Sequence, residues 1–180
     1  MKDVQIMKAT EFRSSYLENK GNGQFVLSPL PVEAQVAPVY GMMPYDIDQD
    51  GRLDLLMVGN DYGIEVFSGR ADAFNGLVLH NTTSGWQAMD LEKSGFYVPG
   101  DARAMARIVK PNCQEMLIAT QNRGPFKFYN LPKQAGVLTK LKNTESSKYM
   151  TLPNGKKRKV EFYYGSTFLS QDSRQVIMPK

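Results

Sequence analysis

The segment Asp46-Ile47-Asp48-Gln49-Asp50-Gly51-Arg52-Leu53-Asp54 decides how the whole chain is interpreted. Carboxylates stand at positions 1, 3, 5 and 9 of this segment, and a glycine follows the third of them. Like charges at such spacing repel one another, and a bound cation relieves that repulsion. Alternate residues can turn their oxygens toward one centre, and Ca²⁺ binds six to eight oxygens at about 2.3–2.6 Å. The segment therefore predicts a calcium loop, with the carbonyl of Arg52 as the natural backbone ligand.

The residues that follow the loop distinguish between kinds of calcium loop. Met57 stands at position 12, where an EF-hand requires a bidentate glutamate, so the EF-hand pattern fails in its second half. The apolar run over 53–58, which ends at Gly59-Asn60, predicts a buried strand instead. A solvated acidic turn without metal is the alternative, and the number of oxygen ligands favours Ca²⁺ over Mg²⁺.

Composition favours a turn-rich β protein of one domain or two small ones. The chain has 180 residues, of which 42% are hydrophobic, and it contains ten prolines and fifteen glycines. No apolar run is long enough for a membrane helix, and residues 1–6 contain no signal-peptide core. The single cysteine, Cys113, is predicted to be a small buried residue. The single histidine, His80, lacks a second His or a Cys to complete a transition-metal site.

Short β segments separated by turns follow one another along the chain. Two segments around Gly21 and Gly23 predict a hairpin, and Asn154-Gly155 predicts another. Residues 117–122 parallel residues 55–60, but the loop before them, 110–114, has lost its carboxylates and is predicted to bind no calcium. The remaining predicted strands are 63–67, 77–81, 86–89, 104–109 (a helical turn is the alternative), 125–131, 137–142, 149–152 and 158–164.

The pattern Asp-x-Asp-x-Asp-Gly-x-x-Asp-Leu over 46–55 resembles the calcium loop of FG-GAP/VCBS repeats, the blades of integrin-type β-propellers. Residues 19–25 resemble a turn of the same repeats, and residues 154–173 resemble the ASPIC/UnbV module. The resemblance implies an all-β fold, with two to three incomplete propeller-like blades over 14–132 and a small β module over 137–180. The ligands that it implies are Asp46, Asp48, Asp50, Asp54 and the carbonyl of Arg52.

The same resemblance implies a structural role for the ion and a location outside the cell or in the cell envelope, with any signal peptide lying upstream. A closed propeller has four to eight blades, so further blades of a parent chain or self-association are expected. The surface is expected to recognise an extracellular protein or a glycan, and Tyr62, Phe74 and Trp86 are the candidate contact residues. The alternative is an accessory binding domain of a secreted enzyme.

Other function classes lack the residues that they require. The chain shows no Ser-His-Asp set and no nucleotide-binding loop, and no spacing argues for an acid–base pair among Asp61, Glu65 and Asp72. Catalysis by this segment is therefore not expected. Residues 156–159 are a basic run, but their acidic and aromatic neighbours favour a solvated strand end over nucleic-acid binding.

Overall fold

The computed structural model describes residues 7–152 and 154–178, and these residues form an all-β protein, as predicted. Within them the strands make five small antiparallel sheets, none of which closes into a barrel. No helix in this part of the chain has the length and apolar character needed to cross a membrane. Residues 1–6, for which no signal-peptide core is predicted, and the last two residues of the predicted module, 179–180, lie outside the described residues.

Thirteen strands and two short helical turns follow one another in the described residues. The helical turns are α1 (Leu91–Ser94) and a 3₁₀ turn (Val32–Ala34). The strands are β1 (Ser15–Gly21), β2 (Gln24–Pro29), β3 (Val39–Tyr45), β4 (Asp54–Gly59), β5 (Leu77–Thr82), β6 (Gly85–Ala88), β7 (Ala102–Val109), β8 (Glu115–Gln121), β9 (Lys127–Asn130), β10 (Val137–Lys140), β11 (Ser147–Thr151), β12 (Lys157–Glu161) and β13 (Gln175–Met178).

Two antiparallel meanders form the centre of the molecule. One has the strand order β3-β4-β5-β6, and the other has the order β7-β8-β9. Side chains alternate between the two faces of a strand, so Leu56 and Val58 of β4 turn toward the same core as Leu117 and Ala119 of β8. The core between the sheets also contains Met43, Tyr45, Val78, Phe96, Val98, Ala102, Met105 and Leu131.

Strand β4 is covered on its other face as well. Met57 packs there with Leu77 and Leu79, beneath Leu30 and Phe74. A strand that is buried on both faces is apolar at successive positions, which explains the uninterrupted run over 55–58.

The C-terminal part of the chain forms two antiparallel strand pairs, β10-β13 and the hairpin β11-β12, around a third small core. Residues 165–173 then run beside β7, the edge strand of its sheet. Thr167 Oγ1 accepts from the Met105 amide at 3.0 Å, and Asp172 Oδ1 accepts from the Arg107 amide at 2.8 Å. The Ser173 amide donates to Arg107 O at 2.8 Å. These groups occupy an edge that would otherwise be open to another chain. The predicted domain boundaries at 132 and 137 stay a prediction.

Most predicted strands are confirmed, including both hairpins and β7, for which a helical turn was the alternative. The predicted strand at 63–67 is wrong, because this segment forms turns in which Val66 and Phe67 are 92% and 96% exposed. Asp61 and Ala71 pair through two backbone hydrogen bonds of 2.8 and 2.9 Å, and they close the segment into a loop. Among the described residues, no strand pairs with the alternating residues of this segment.

Candidate metal centre

The acidic loop connects the adjacent strands β3 and β4, whose ends pair at Tyr45 and Asp54. Carboxylates shape its coil, since Asp48 Oδ1 accepts from the Asp50 amide at 3.2 Å and Asp50 Oδ1 accepts from the Arg52 amide at 2.7 Å. Gly51 has a φ of +86°, where a side chain is strained. A β-carbon at Gly51 would also lie 2.9 Å from Asn154 Nδ2. The positive φ is therefore the constraint that selects glycine here, because the end of the exposed Asn154 side chain can move aside.

Three of the predicted ligands come together. Asp46, Asp48 and Asp50 each offer an oxygen, and these oxygens lie within 4.8 Å of one another. Two oxygens bound to one Ca²⁺ are separated by at most about 5 Å, so the spacing fits such an ion. Asp46 is 8% exposed, and its Oδ1 atom has no hydrogen-bond partner in the described structure. Burial raises the pKa of the Asp46 carboxyl, and the nearby Arg158 guanidinium opposes that rise.

Asp54 holds the loop to the sheet. It is 2% exposed, and its two oxygens accept from the amides of Ile47 and Asn81, each at 2.9 Å. The Asp54 carboxylate lies close to Asp48 and His80, and it does not belong to the cluster of Asp46, Asp48 and Asp50. The predicted ligands are thus divided between two sets that share Asp48. The carbonyl role predicted for Arg52 stays a prediction; its guanidinium pairs with Asp50.

His80 is the residue of this centre that sequence reasoning missed. Its Nε2 atom lies 3.3 Å from Asp48 Oδ2 and 3.9 Å from Asp54 Oδ2, and it has no hydrogen-bond partner in the described structure. The pairing of β4 with β5, which places Leu79 opposite Leu55, brings it there. His80 follows the buried Leu79 by one residue, so the correct register between β4 and β5 was the signal that could have located it.

The second loop, residues 110–114, connects β7 and β8 in the corresponding position. Glu115 begins β8 as Asp54 begins β4, and each is 2% exposed. Glu115 accepts from Tyr45 Oη at 2.6 Å and from Arg107 Nη1 at 3.1 Å, so protein groups satisfy this carboxylate. Cys113 is only half-buried, in contrast to the predicted burial, because it occupies the turn with a φ of +60°.

Tyr45 makes the stability of the protein sensitive to alkaline pH. Burial, followed by the negative charge of Glu115, raises the pKa of the Tyr45 hydroxyl well above its usual range. A group whose pKa is raised on folding stabilises the fold below its unfolded pKa of about 10, and that stabilisation is lost as the pH rises further. We expect the free energy of unfolding to fall above pH ~10 by up to about 1.4 kcal/mol per pH unit for this group.

Urea unfolding of the wild type and of Tyr45→Phe at several pH values between 8 and 11 measures this effect. The variant should show a shallower decline of the free energy of unfolding with pH. Part of the decline should remain, because burial also raises the pKa of Tyr129. Equal slopes for the two proteins would show that Tyr45 is not the group responsible.

The three residues predicted to contact a ligand lie in different environments. Phe74 is 2% exposed and belongs to the core beside β4, which corrects its predicted surface role, because its ring is not available to a ligand. Trp86 packs against the same core, with the ring of Tyr16 edge-on at 5.5 Å. Tyr62 lies beneath the guanidinium of Arg70, 4.8 Å from the ring centre. The described structure therefore does not join the three rings into one exposed surface.

Comparison with known proteins assigns no family: no family model matches the chain, and neither a curated protein nor a solved structure matches it significantly. The resemblance to FG-GAP/VCBS repeats and to the ASPIC/UnbV module therefore rests on the motif residues themselves. The geometry of the acidic loop carries the functional argument.

Proposed function

We propose that this chain is a calcium-binding, non-catalytic β-repeat segment of an exported or cell-surface protein. Ca²⁺ ties the loop between β3 and β4, and the two central sheets act as blades of the FG-GAP/VCBS type. The observation that carries the proposal is the convergence of Asp46, Asp48 and Asp50, of which Asp46 is buried with one unpaired oxygen. Leaving a buried acceptor without a partner is unfavourable, and a cation satisfies it.

The chemistry of the donors supports a hard cation and a structural role. The three aspartates provide carboxylate oxygens, which suit Ca²⁺ or Mg²⁺ more than soft metals. Asp54 links the same loop to β5 through the Asn81 amide, so an ion held by the loop would act on the sheet as well. Recognition of an extracellular protein or a glycan is assigned to the exposed surface, which includes the rings of Phe126 and Phe128.

Calcium is expected to raise the melting temperature of the protein. A ligand that binds only the folded state stabilises it by about 2.7 kcal/mol at 100 times its dissociation constant. For a chain of this size that corresponds to roughly 5–10 °C. Asp48→Ala should abolish the increase, because Asp48 belongs to both groups of ligands. The measurement is thermal unfolding in EDTA and in millimolar CaCl₂.

The matched control is Asp72→Asn, which removes one exposed negative charge outside the loop and should retain the calcium response. His80→Asn identifies the set that holds the ion, because it leaves Asp46, Asp48 and Asp50 intact. A retained response in this variant assigns the ion to the three aspartates, and a lost response assigns it to Asp48, Asp54 and His80. A wild type that melts at the same temperature in EDTA and in calcium would contradict the proposed function.

A further inference from the structure

Arg158 of β12 reaches the acidic loop from the C-terminal part of the chain. Its Nη2 atom donates to Gly51 O at 2.8 Å and lies 3.5 Å from Asp46 Oδ2. The side chains of Arg158 and Asp46 are only 19% and 11% exposed. A pair so far removed from water is screened less by salt than an exposed ion pair. The loop therefore already contains a positive charge at one of its buried carboxylates.

The turn between β11 and β12 also approaches the loop. A β-carbon placed on Gly51 would lie 2.9 Å from Asn154 Nδ2 and 3.7 Å from Leu152 Cδ1. The Leu152 amide donates to Lys156 O at 2.8 Å, which orders the base of this turn. The turn of the β11-β12 hairpin therefore lies directly beside Gly51 of the loop.

Arg158 differs from the other positive side chain at the loop. Arg52 belongs to the loop itself, and its side chain is 41% exposed. Arg158 is separated from Asp46 by 112 residues and reaches it only when the β11-β12 hairpin is docked. Arginine stays charged at any working pH, so its charge on the loop is constant.

We propose that Arg158 is a built-in competitor for the divalent cation, and that filling of the loop releases the β11-β12 hairpin from it. The inference rests on the proposed function, because it concerns the same carboxylates. A divalent cation held by Asp46 and the guanidinium of Arg158 repel each other across one buried carboxylate. The coupling is reciprocal: to the extent that a docked Arg158 weakens cation binding, a bound cation weakens docking of the hairpin.

Calcium titration calorimetry of Arg158→Gln at fixed ionic strength tests the competition. We expect this variant to bind Ca²⁺ about 10-fold more tightly than the wild type, within the usual range of coupling between sites. The matched control is Lys157→Gln, which removes the same charge from an exposed neighbour on the same strand. In the described structure Lys157 makes no side-chain hydrogen bond or ion pair to the loop, so its affinity should stay within about twofold of the wild type.

The outcomes separate this inference from the proposed function. A wild type that binds Ca²⁺, with no tighter binding by Arg158→Gln than by Lys157→Gln, would overturn the competition alone. Absence of binding by both the wild type and Arg158→Gln would overturn the proposed function together with the inference. Binding by Arg158→Gln but not by the wild type would support the competition and contradict the proposed function of the wild-type chain. Arg158→Met, which keeps an apolar stem, replaces the glutamine variant if circular dichroism shows that the latter does not fold.

Hydrogen exchange of the full wild-type chain tests the release without any substitution. Millimolar CaCl₂ should slow amide exchange in residues 46–54 and accelerate it in β11 and β12, because the hairpin loses its anchor on the loop. Slower exchange in both regions would show that the cation and Arg158 cooperate, and it would overturn the inference.

Discussion

Arg107→Met is expected to lower the free energy of unfolding by about 3–5 kcal/mol, the usual loss when one partner of a buried ion pair is removed. Glu115 is 2% exposed, and Arg107 Nη1 lies 3.1 Å from its Oε1 atom. Without the guanidinium, Tyr45 Oη, which donates to Glu115 Oε2 at 2.6 Å, is the remaining side-chain partner of this carboxylate in the described structure. One neutral hydrogen bond does not compensate a buried charge. Urea denaturation at neutral pH measures the loss.

The double variant Arg107→Met/Glu115→Gln separates the charge from the packing. Removal of both charges should recover much of the stability, because replacing an entire buried pair is far less costly than leaving half of it. Arg13→Met is the control, since it breaks an exposed pair with Glu11 and should leave the denaturation midpoint unchanged. A double variant no more stable than the single one would show that Arg107 acts through packing.

The two corresponding loops deal with a carboxylate at the start of a strand in different ways. Glu115 is paired with the Arg107 guanidinium of the neighbouring strand β7, and it accepts a hydrogen bond from Tyr45 of β3 in the other central sheet. Asp54 accepts only backbone amides, and it stands beside a loop with three further aspartates. Protein groups therefore satisfy the carboxylate beside the second loop, whereas the four aspartates of the first loop carry more negative charge than Arg52 and Arg158 offset. Under the proposed function, this contrast is the reason to place the ion at the first loop only.

The sequence predicted the strands well where period and turn chemistry agree. The β11-β12 hairpin follows from Asn154-Gly155, and β4 follows from its apolar run. The segment 63–67 alternates equally well, but it is not a strand. Alternation shows only that a strand is possible, and a strand also needs a neighbour with which to pair. Here Asp61 pairs with Ala71 and closes the segment into a loop, which the alternation does not reveal.

For the candidate site as well, the sequence predicted what is local and missed what depends on distant segments. The spacing of Asp46, Asp48 and Asp50 within one loop is local information, and it was sufficient to predict their convergence. His80 and Arg158 approach the same loop from distant positions in the chain, through the register of β5 and through docking of a hairpin. The motif over 154–173 gave no indication that its Thr167 and Asp172 complete the edge of β7. Contacts between distant segments need the fold before they can be assigned.

Asn60→Ala is expected to cost about 3–5 kcal/mol, although the sequence identified this residue only as the end of a strand. Asn60 is fully buried, and its Nδ2 atom lies within 3.1 Å of the carbonyl oxygens of Phe74, Pro99 and Gly100. Its Oδ1 atom accepts from the Phe74 amide at 2.9 Å. One side chain thus holds two connecting segments against the end of β4, and alanine would leave four backbone groups without this partner.

The backbone of Asn60 supplies a second contribution, which a glycine variant separates from the first. Its φ is +83°, a conformation that alanine tolerates poorly and glycine adopts freely. We expect Asn60→Gly to be about 1 kcal/mol less destabilised than Asn60→Ala, with most of the loss remaining, because the hydrogen bonds are absent in both. Asn22→Ala is the control for strain alone, since Asn22 is exposed in the β1-β2 turn with a φ of +52°. A glycine variant as stable as the wild type in urea would assign the role of Asn60 to its backbone, and the amide network would then contribute little to the fold.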